Sequence, residues 1–286
     1  MRRLVPCIVW LVVLAACVDE AAAPSTSARE PQPTSTTTPV ETTQAPTTTA
    51  PEGACPPGDV MLADGGLADF DPSSSDSTRI AGITWRTSGV CQTFTISFAT
   101  EDGAPATTPP ALSARLLRGA GVLRIETAAT DSVIADQVVE TGLVERLFVP
   151  VSDDGSRFVD LVLGEPVVAR ARLETTPARV EIEIQPGGPP IGRPLMTGDL
   201  VVIEPGSAAV ATPVLDVAGY SMGEASTYDV TINRAGQPVA DTTLETADSH
   251  IWSAFHLVVQ VGDDAYDMLQ VTDDEGSVVA AIPFNR

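Results

Sequence analysis

The chain contains no lysine and only two histidines, so nearly all of its positive charge comes from arginine. Sixteen basic side chains stand against 38 acidic ones in 286 residues, and the formal net charge is −22. Binding to DNA or RNA depends on basic side chains that displace counterions from the phosphates. A chain this acidic lacks such a surface, and we expect no nucleic-acid partner.

The apolar run near the N-terminus is too short to cross a bilayer as a helix. It extends over 13 residues, from Leu4 to Ala16, whereas a spanning helix needs about 20. Arg2 and Arg3 precede it and small residues end it, which is typical of a secretory signal and predicts a signal peptide over residues 1–16.

The end of this run, Leu14-Ala15-Ala16-Cys17, resembles the lipobox of bacterial lipoprotein signals. The resemblance implies cleavage before Cys17 and a diacylglycerol thioether on its sulfur, with which the mature chain is held on the membrane. We therefore expect an extracytoplasmic protein that is lipid-anchored to the bacterial cell membrane, with its folded domains in the cell-wall space. An ordinary secretory signal with an unmodified Cys17 is the alternative.

Cysteine is scarce, with four residues in the whole chain. Cys7 lies in the signal and Cys17 is assigned to lipid, which leaves Cys55 and Cys91 as an even pair in an exported chain. A disulfide between these two is the expected outcome. A metal site is disfavoured because neither cysteine belongs to a Cys-x-x-Cys pair.

Residues 17–54 contain mostly Thr, Pro, Ala, Ser and Glu, and they lack aromatic side chains. Such a segment cannot bury enough apolar surface to offset the loss of chain entropy on folding. We predict a disordered Thr/Pro-rich tether between the lipid and the folded part. Whether its threonines carry sugars is left open.

Residues 55–190 alternate between apolar and polar side chains in the manner of antiparallel β-structure. Thr93–Phe98 and Val180–Ile184 have the period of two that predicts strands with one buried face. Val144–Val151 and Arg157–Leu163 flank an Asp- and Gly-containing turn and predict a hairpin. Residues 128–140 are compatible with a short helix or a loop.

Three segments of this region, 142–149, 157–161 and 177–183, resemble AMIN-like domains. These are β-sandwich modules of bacterial envelope proteins, and the related AMIN domains help to localise cell-wall amidases and secretin components through peptidoglycan. The likeness covers roughly Thr78 to Gln185. The chain has Cys91-Gln92 where the family has Asp-Arg.

Residues 191–286 have the length of one immunoglobulin-like sandwich. The join before them, Pro186 to Pro190, suggests a short and semi-stiff hinge. Alternation and turn residues predict seven strands: Leu200–Ile203, Val214–Ala218, Thr227–Asn233, Val239–Thr243, Ile251–Val261, Asp267–Thr272 and Val278–Pro283.

The second region also resembles a known family, the immunoglobulin-like domain of bacterial spore germination (Gmad2). The resemblance rests on the segments Glu204-Pro205-Gly206, Pro213–Gly219, Glu224-Ala225, Trp252–Phe255 and Asp274-Glu275-Gly276. It implies a binding or structural module of bacterial surface lipoproteins and brings no catalytic residues with it.

One pattern in the chain points to catalysis. Gly219-Tyr220-Ser221-Met222-Gly223 satisfies the Gly-x-Ser-x-Gly pattern of a serine nucleophile. Candidate partners follow it in the chain: Asp229, Asp241, Asp248, His250 and His256. The segment after the motif alternates as a strand, however, whereas a nucleophile elbow needs a helix there. A hydrolase is therefore the disfavoured reading.

Metal sites find equally little support in the sequence. His250 and His256 are six residues apart on one predicted strand, which separates them by about 20 Å. The acidic clusters lack the spacing of a calcium loop and occur where hairpins need Asp and Gly. These clusters are Asp153-Asp154, Asp263-Asp264 and Asp273-Asp274-Glu275.

Together these observations predict an all-β protein with two consecutive β-sandwich domains, AMIN-like over 55–190 and immunoglobulin-like over 191–286. We expect neither enzymatic activity nor a cofactor. The leading hypothesis is a cell-surface lipoprotein that recognises peptidoglycan, another envelope component or a protein partner. The alternative is an accessory subunit that scaffolds a secreted or germination-type envelope complex.

Overall fold

The computed structural model describes residues 55, 60–62, 68–207, 210–224, 226–246, 248–262 and 265–284, which all belong to one compact unit, 49–286. The predicted signal, the lipid site at Cys17 and the tether lie outside the described residues. So do Ala225, Asp263 and Asp264. Within the described part, no helix is long and apolar enough to cross a membrane.

The described residues are all-β, as predicted, with four sheets and no helix. The strands are β1 Val60–Leu62, β2 Ala68–Phe70, β3 Arg79–Ser88, β4 Cys91–Ala99, β5 Leu112–Leu117, β6 Val122–Thr127, β7 Asp131–Ser132, β8 Asp136–Val138, β9 Val144–Phe148, β10 Arg157–Leu163, β11 Val167–Glu174, β12 Arg179–Pro186, β13 Leu195–Thr197, β14 Leu200–Glu204, β15 Val214–Gly223, β16 Thr227–Arg234, β17 Gln237–Glu245, β18 Ser249–Gln260, β19 Met268–Thr272 and β20 Val278–Pro283.

Sheets 1 and 2 form the first sandwich. Sheet 1 has the strand order β1-β11-β12-β4-β3-β7, and sheet 2 has the order β2-β5-β6-β10-β9-β8. Their facing sides bury one apolar core, to which β4 contributes Phe94, Ile96 and Phe98. The alternation of β4 therefore has the predicted effect, because every second side chain points into that core.

The predicted details of this region can be compared with its strands. The hairpin β9–β10 is present, with Leu147 opposite Leu161. Residues 128–140, compatible with a helix or a loop by sequence, form loop segments and the short strands β7 and β8. The predicted disulfide is present: Cys55 and Cys91 are bonded, with their Cα atoms 5.1 Å apart.

Sheets 3 and 4 form the second sandwich, with strand orders β13-β14-β15-β18 and β17-β16-β19-β20. All seven predicted strands occur here, and β13 is an eighth. Val217, Ile232 and Leu269 are among the fully buried residues of the core between the two sheets. No cysteine lies in this region, so packing and backbone hydrogen bonds hold it.

A third apolar layer joins the two sandwiches, because the outer face of sheet 2 packs on the outer face of sheet 3. We call it the joining layer; its buried members are Ala120, Val122, Phe148, Phe158, Val162, Val201, Ile203, Tyr220 and Trp252. The described unit is therefore a stack of four sheets with three apolar layers between them. The sequence-based expectation of a hinge between two separate sandwiches did not anticipate this contact.

Strands in the middle of the stack are buried on both faces. In β14, Leu200 and Val202 point into the second core, whereas Val201 and Ile203 enter the joining layer. The unbroken apolar run Leu200–Ile203 is the sequence signal of such a strand. In β10, Phe158 and Val162 likewise face the joining layer, opposite the side that faces the first core.

Candidate functional site: a charged cleft beside the joining layer

The outer face of sheet 2 carries a row of charged side chains next to the joining layer. Strand pairing places Arg115 of β5 opposite Arg124 of β6, and Arg124 in turn opposite Asp160 of β10. Glu126 and Phe158 are neighbours in the next row. Because alternate residues of a strand share a face, all of these side chains point away from the first core, towards the second sandwich.

The central pair of this row is Arg124 and Asp160. Arg124 donates two hydrogen bonds to the carboxylate of Asp160, from Nε to Oδ1 at 2.9 Å and from Nη2 to Oδ2 at 2.7 Å. Asp160 is fully buried, and 17% of the Arg124 side chain is exposed. The Arg124 guanidinium also lies over the ring of Phe158, 4.4 Å from its centroid.

The environment keeps the Arg124 guanidinium charged. Burial acts to lower the pKa of Arg124, but the charge and the hydrogen bonds of Asp160 outweigh it, and the pKa is raised above its ordinary value. Arg124 is therefore a permanent cation at the inner end of the row, and both oxygens of Asp160 are occupied by it.

The outer pair, Arg115 and Glu126, is more exposed. Arg115 Nη2 and Glu126 Oε1 are 2.6 Å apart, and Ser113 Oγ donates to Glu126 Oε2 at 3.1 Å. The two charged side chains are 36% and 45% exposed. Water screens such a pair, so these groups remain available to a ligand.

A cleft of about 530 Å³ opens over this row, where the two sandwiches meet. Sheet 2 provides one wall with Arg115, Arg124 and Glu126, and the turn of the β9–β10 hairpin borders it. Sheet 3 provides the opposite wall with Glu204 and His256, besides small and apolar residues. The volume lies in the range of small-molecule and peptide pockets.

The hairpin contributes both signs of charge to this cleft. Arg157 lines it, and its Nε donates to the carbonyl oxygen of Thr130 at 3.4 Å. Partial burial lowers the pKa of Arg157, and the charge of Asp131 opposes that effect. Among the described residues, Arg157 forms no ion pair. Asp153 and Asp154 lie at the tip of the same hairpin.

Two polar groups in the joining layer lack partners among the described residues. Tyr220 Oη and Trp252 Nε1 are buried and form no hydrogen bond with described atoms. Burial, with the negative charge of Asp160, raises the pKa of Tyr220 well above its ordinary value. Tyr220 therefore stays neutral and acts through its ring, which lies 4.9 Å from Phe148 and 5.7 Å from Trp252 between centroids.

The serine pattern does not form a nucleophile elbow. Ser221 is a buried residue within β15, paired with Leu200 on one side and Ser253 on the other. His250 and His256 lie three residues from Ser253 along β18, an odd spacing that directs them to the opposite face, and about 10 Å away by strand rise. The sheet does not bring them to the Ser221 hydroxyl.

The backbone geometry explains why both outer positions of the serine pattern are glycine. A Cβ atom on Gly219 would stand 1.9 Å from the carbonyl oxygen of Val201, so only glycine allows β14 and β15 to lie this close. Gly223 has a φ of 114°, which other residues rarely adopt. The aspartates named with this motif lie elsewhere: Asp229 and Asp241 are on sheet 4, and Asp248 precedes β18.

The histidines and the acidic clusters have local partners of their own or are exposed. His256 Nε2 lies 3.1 Å from Asp216 Oδ1, and both side chains are exposed beside the joining layer. His250 is exposed near the start of β18. Asp154 accepts hydrogen bonds from the amide and hydroxyl of Ser156, and Asp273 accepts them from the amides of Glu275 and Ser277. These are turn interactions, as the sequence predicted.

Within the described ranges, no group of three or more His, Cys, Asp and Glu side chains could hold a metal ion. Sequence reasoning missed Arg124, Asp160, Tyr220 and Trp252, the residues that shape the cleft and the joining layer. The signal for them was present in part. Arg157–Leu163 and Leu200–Ile203 lack a polar face, and that pattern marks strands buried on both sides.

The fold and the cleft define a class of protein: an all-β stack of two sandwiches with a charged cleft at their junction. Compared with protein-family models, curated proteins and solved structures, the chain shows no match.

Proposed function

We propose that this chain is a cell-surface binding protein, anchored by lipid on Cys17, that recognises peptidoglycan through the charged cleft. The observation that carries the proposal is the composition of the cleft, which presents arginines beside acidic side chains in about 530 Å³. Stem peptides of peptidoglycan carry carboxylates and free amines along one short chain. A cleft with both signs of charge suits such a ligand, because each of its charged ends meets an opposite charge.

Two further features support this proposal. The segment Arg157–Leu161, through which the chain resembles AMIN-like domains, contributes Arg157 and Phe158 to the cleft. The joining layer also holds the walls of the cleft together through buried aromatic contacts, and a preformed site loses little entropy when it binds. In this proposal the protein recognises its ligand without covalent chemistry. Ser221 is enclosed within a strand, and no residue is assigned to catalysis.

Retention on purified cell wall tests the cleft directly. The mature chain with Cys17→Ser, free of lipid, is mixed with insoluble peptidoglycan and the bound fraction is measured. Arg157→Gln should weaken binding by about tenfold or more, since a hydrogen bond to a charged group contributes roughly 1.5–3 kcal/mol. Arg234→Gln is the matched control, because Arg234 is an exposed arginine on β16 that does not line the cleft. Equal retention of both variants would contradict the proposal.

The anchor is tested separately. Palmitate labelling of cells that express the protein should disappear in Cys17→Ser, and the chain should then be released from the membrane fraction. Labelling that persists in this variant would place the lipid elsewhere.

A second candidate function is an accessory subunit of a secreted or germination-type envelope complex. The acidity of the second sandwich favours it, because residues 191–286 contain fourteen Asp and Glu against three Arg. Such a surface suits a basic protein partner. This alternative predicts co-purification with a second protein and no retention on bare peptidoglycan.

A further inference from the structure

Strand β18 is the outermost strand of sheet 3, and one side of it is only partly paired. On that side Val151 of the first sandwich forms a single parallel bridge, by donating to the carbonyl oxygen of Trp252 at 2.9 Å and accepting from the amide of Ala254 at 2.8 Å. No other described strand pairs with this edge. The first sandwich therefore pairs one residue, Val151, with this edge of β18, and the rest of the edge has no described strand beside it.

The remaining free groups on this edge follow from the pairing. Trp252 and Ala254 direct their backbone groups to the outer edge, and successive residues of a strand alternate between its two edges. The register with β15 is unbroken from Ser253 to Gln260. The N–H and C=O groups of His256, Val258 and Gln260 consequently point outwards, and the side chains of all three are exposed.

The other edge strands of the described sheets are protected, whereas β18 is not. Five of them, β1, β2, β7, β8 and β13, have only two or three residues. Strand β17 contains Pro238, Asp241 and Glu245, and β20 is short and ends in Pro283. Residues 253–260 of β18 contain no proline, no Asp, Glu, Lys or Arg, and no bulge. A long, regular and uncharged edge is the kind that accepts an added strand.

The surroundings of this edge specify the chemistry of an added strand. A groove of about 360 Å³ borders residues 253–257 of β18, where the free part of the edge begins, and the partly buried side chains of Phe255 and Leu257 line it. Asp153 and Glu245 border the groove, and among its described lining residues His256 alone can carry a positive charge. An acidic border above an apolar floor fits a strand in which apolar and basic side chains alternate.

We propose that the free edge of β18, from His256 to Gln260, is a strand-addition site for an extended basic segment of a partner protein. A second copy of this chain is disfavoured as the occupant, because it would bring its own acidic border and a net charge of −22 to the same place.

The test uses the mature chain with Cys17→Ser and a nine-residue peptide in which valine and lysine alternate. Amide hydrogen exchange, followed residue by residue, should slow by at least tenfold at His256, Val258 and Gln260 when the peptide is saturating. Val258→Pro removes the central N–H of the edge and should abolish binding, with its unfolding curve as the check that it folds. A peptide with glutamate in place of every lysine should not bind.

Charge variants distinguish attraction of the peptide by the groove from attraction by the overall negative charge of the protein. Glu245→Gln should weaken binding of the lysine peptide by about threefold at low salt, whereas Asp274→Asn should leave it unchanged, because Asp274 is exposed in the β19–β20 turn. Absence of protection at the three amides, or equal binding of the glutamate peptide, would overturn the proposal. Protection that appears without peptide and rises with protein concentration would identify a second copy as the occupant, which also overturns it.

Discussion

The buried pair Arg124–Asp160 allows a prediction about the free energy of unfolding. Removing one charge of the pair should destabilise the protein, whereas removing both should have little effect. Asp160 is fully buried, and 17% of the Arg124 side chain is exposed. Asp160→Leu would leave the Arg124 cation facing a carboxylate-sized apolar group, without its two hydrogen bonds. Removing one partner of a buried ion pair costs about 3–5 kcal/mol, and we expect a loss of that size in the free energy of unfolding.

The double variant Arg124→Met and Asp160→Leu should recover most of this loss. Replacing both charges with apolar side chains of similar size removes the desolvation cost together with the attraction, and such replacements are often neutral or stabilising. We expect the double variant to lie within about 1 kcal/mol of the wild type. Arg124→Met alone removes one partner of the same buried pair and should also cost about 3–5 kcal/mol, so the coupling energy in this double-mutant cycle should be at least about 5 kcal/mol.

Urea unfolding followed by intrinsic fluorescence measures these differences, because Trp85 lies in the first sandwich and Trp252 in the joining layer. The more exposed pair Arg115–Glu126 serves as the control, and Glu126→Gln should cost less than about 1 kcal/mol. If the losses of the two single variants simply add in the double variant, the two side chains are energetically independent and the reasoning is refuted.

Three further predictions concern the joining layer, the disulfide and acid stability. Trp252→Ala should lower the free energy of unfolding by about 3–5 kcal/mol and separate one calorimetric unfolding transition into two. A single transition at an unchanged temperature would contradict the coupling of the two sandwiches. Cys91→Ser should lower the free energy of unfolding by about 4 kcal/mol relative to the oxidised wild type, by the chain-entropy model for a separation of 36 residues, measured by urea unfolding. Equal stability of the variant and the oxidised wild type would show the bond to be dispensable. The amides of Thr108 and Thr107 lower the pKa of Asp76, so its stabilisation is present above pH about 4 and is lost as the pH falls through the lowered pKa. Asp76→Asn should therefore flatten the acid limb of a stability-against-pH curve, and an unchanged limb would exclude this contribution.

Much of the fold could be predicted from local sequence. Alternation of apolar and polar residues predicts a strand with one buried face, because a pleated strand directs alternate side chains to opposite faces. Thr93–Phe98 and Val180–Ile184 show this alternation. Turn residues marked the hairpins for the same local reason. The Cys55–Cys91 pair followed from counting cysteines in a chain expected to be exported, and the bond is present.

The cleft could not be predicted in this way, because it depends on the contact between two separately patterned sandwiches. Arg124 and Asp160 are 36 positions apart and become neighbours only through the pairing of β6 with β10. Trp252 lies on the face of β18 opposite Phe255 and Leu257, and sequence alone does not say whether that face meets water or another sheet. Ser221 is a second example. The Gly-x-Ser-x-Gly pattern describes only neighbours along the chain, whereas the direction of the hydroxyl depends on the strand that contains it.

The sequence by itself determined the all-β class, the positions of most strands, the cysteine pair and the strongly acidic charge, since each of these depends on composition or on neighbouring residues. Only the tertiary structure decided that the outer faces of sheets 2 and 3 meet and that a charged cleft opens beside their contact. It also decided that, among the described residues, one edge of β18 pairs with Val151 alone. Those features arise from the burial of side chains far apart in the chain, and burial is a property of the assembled sheets.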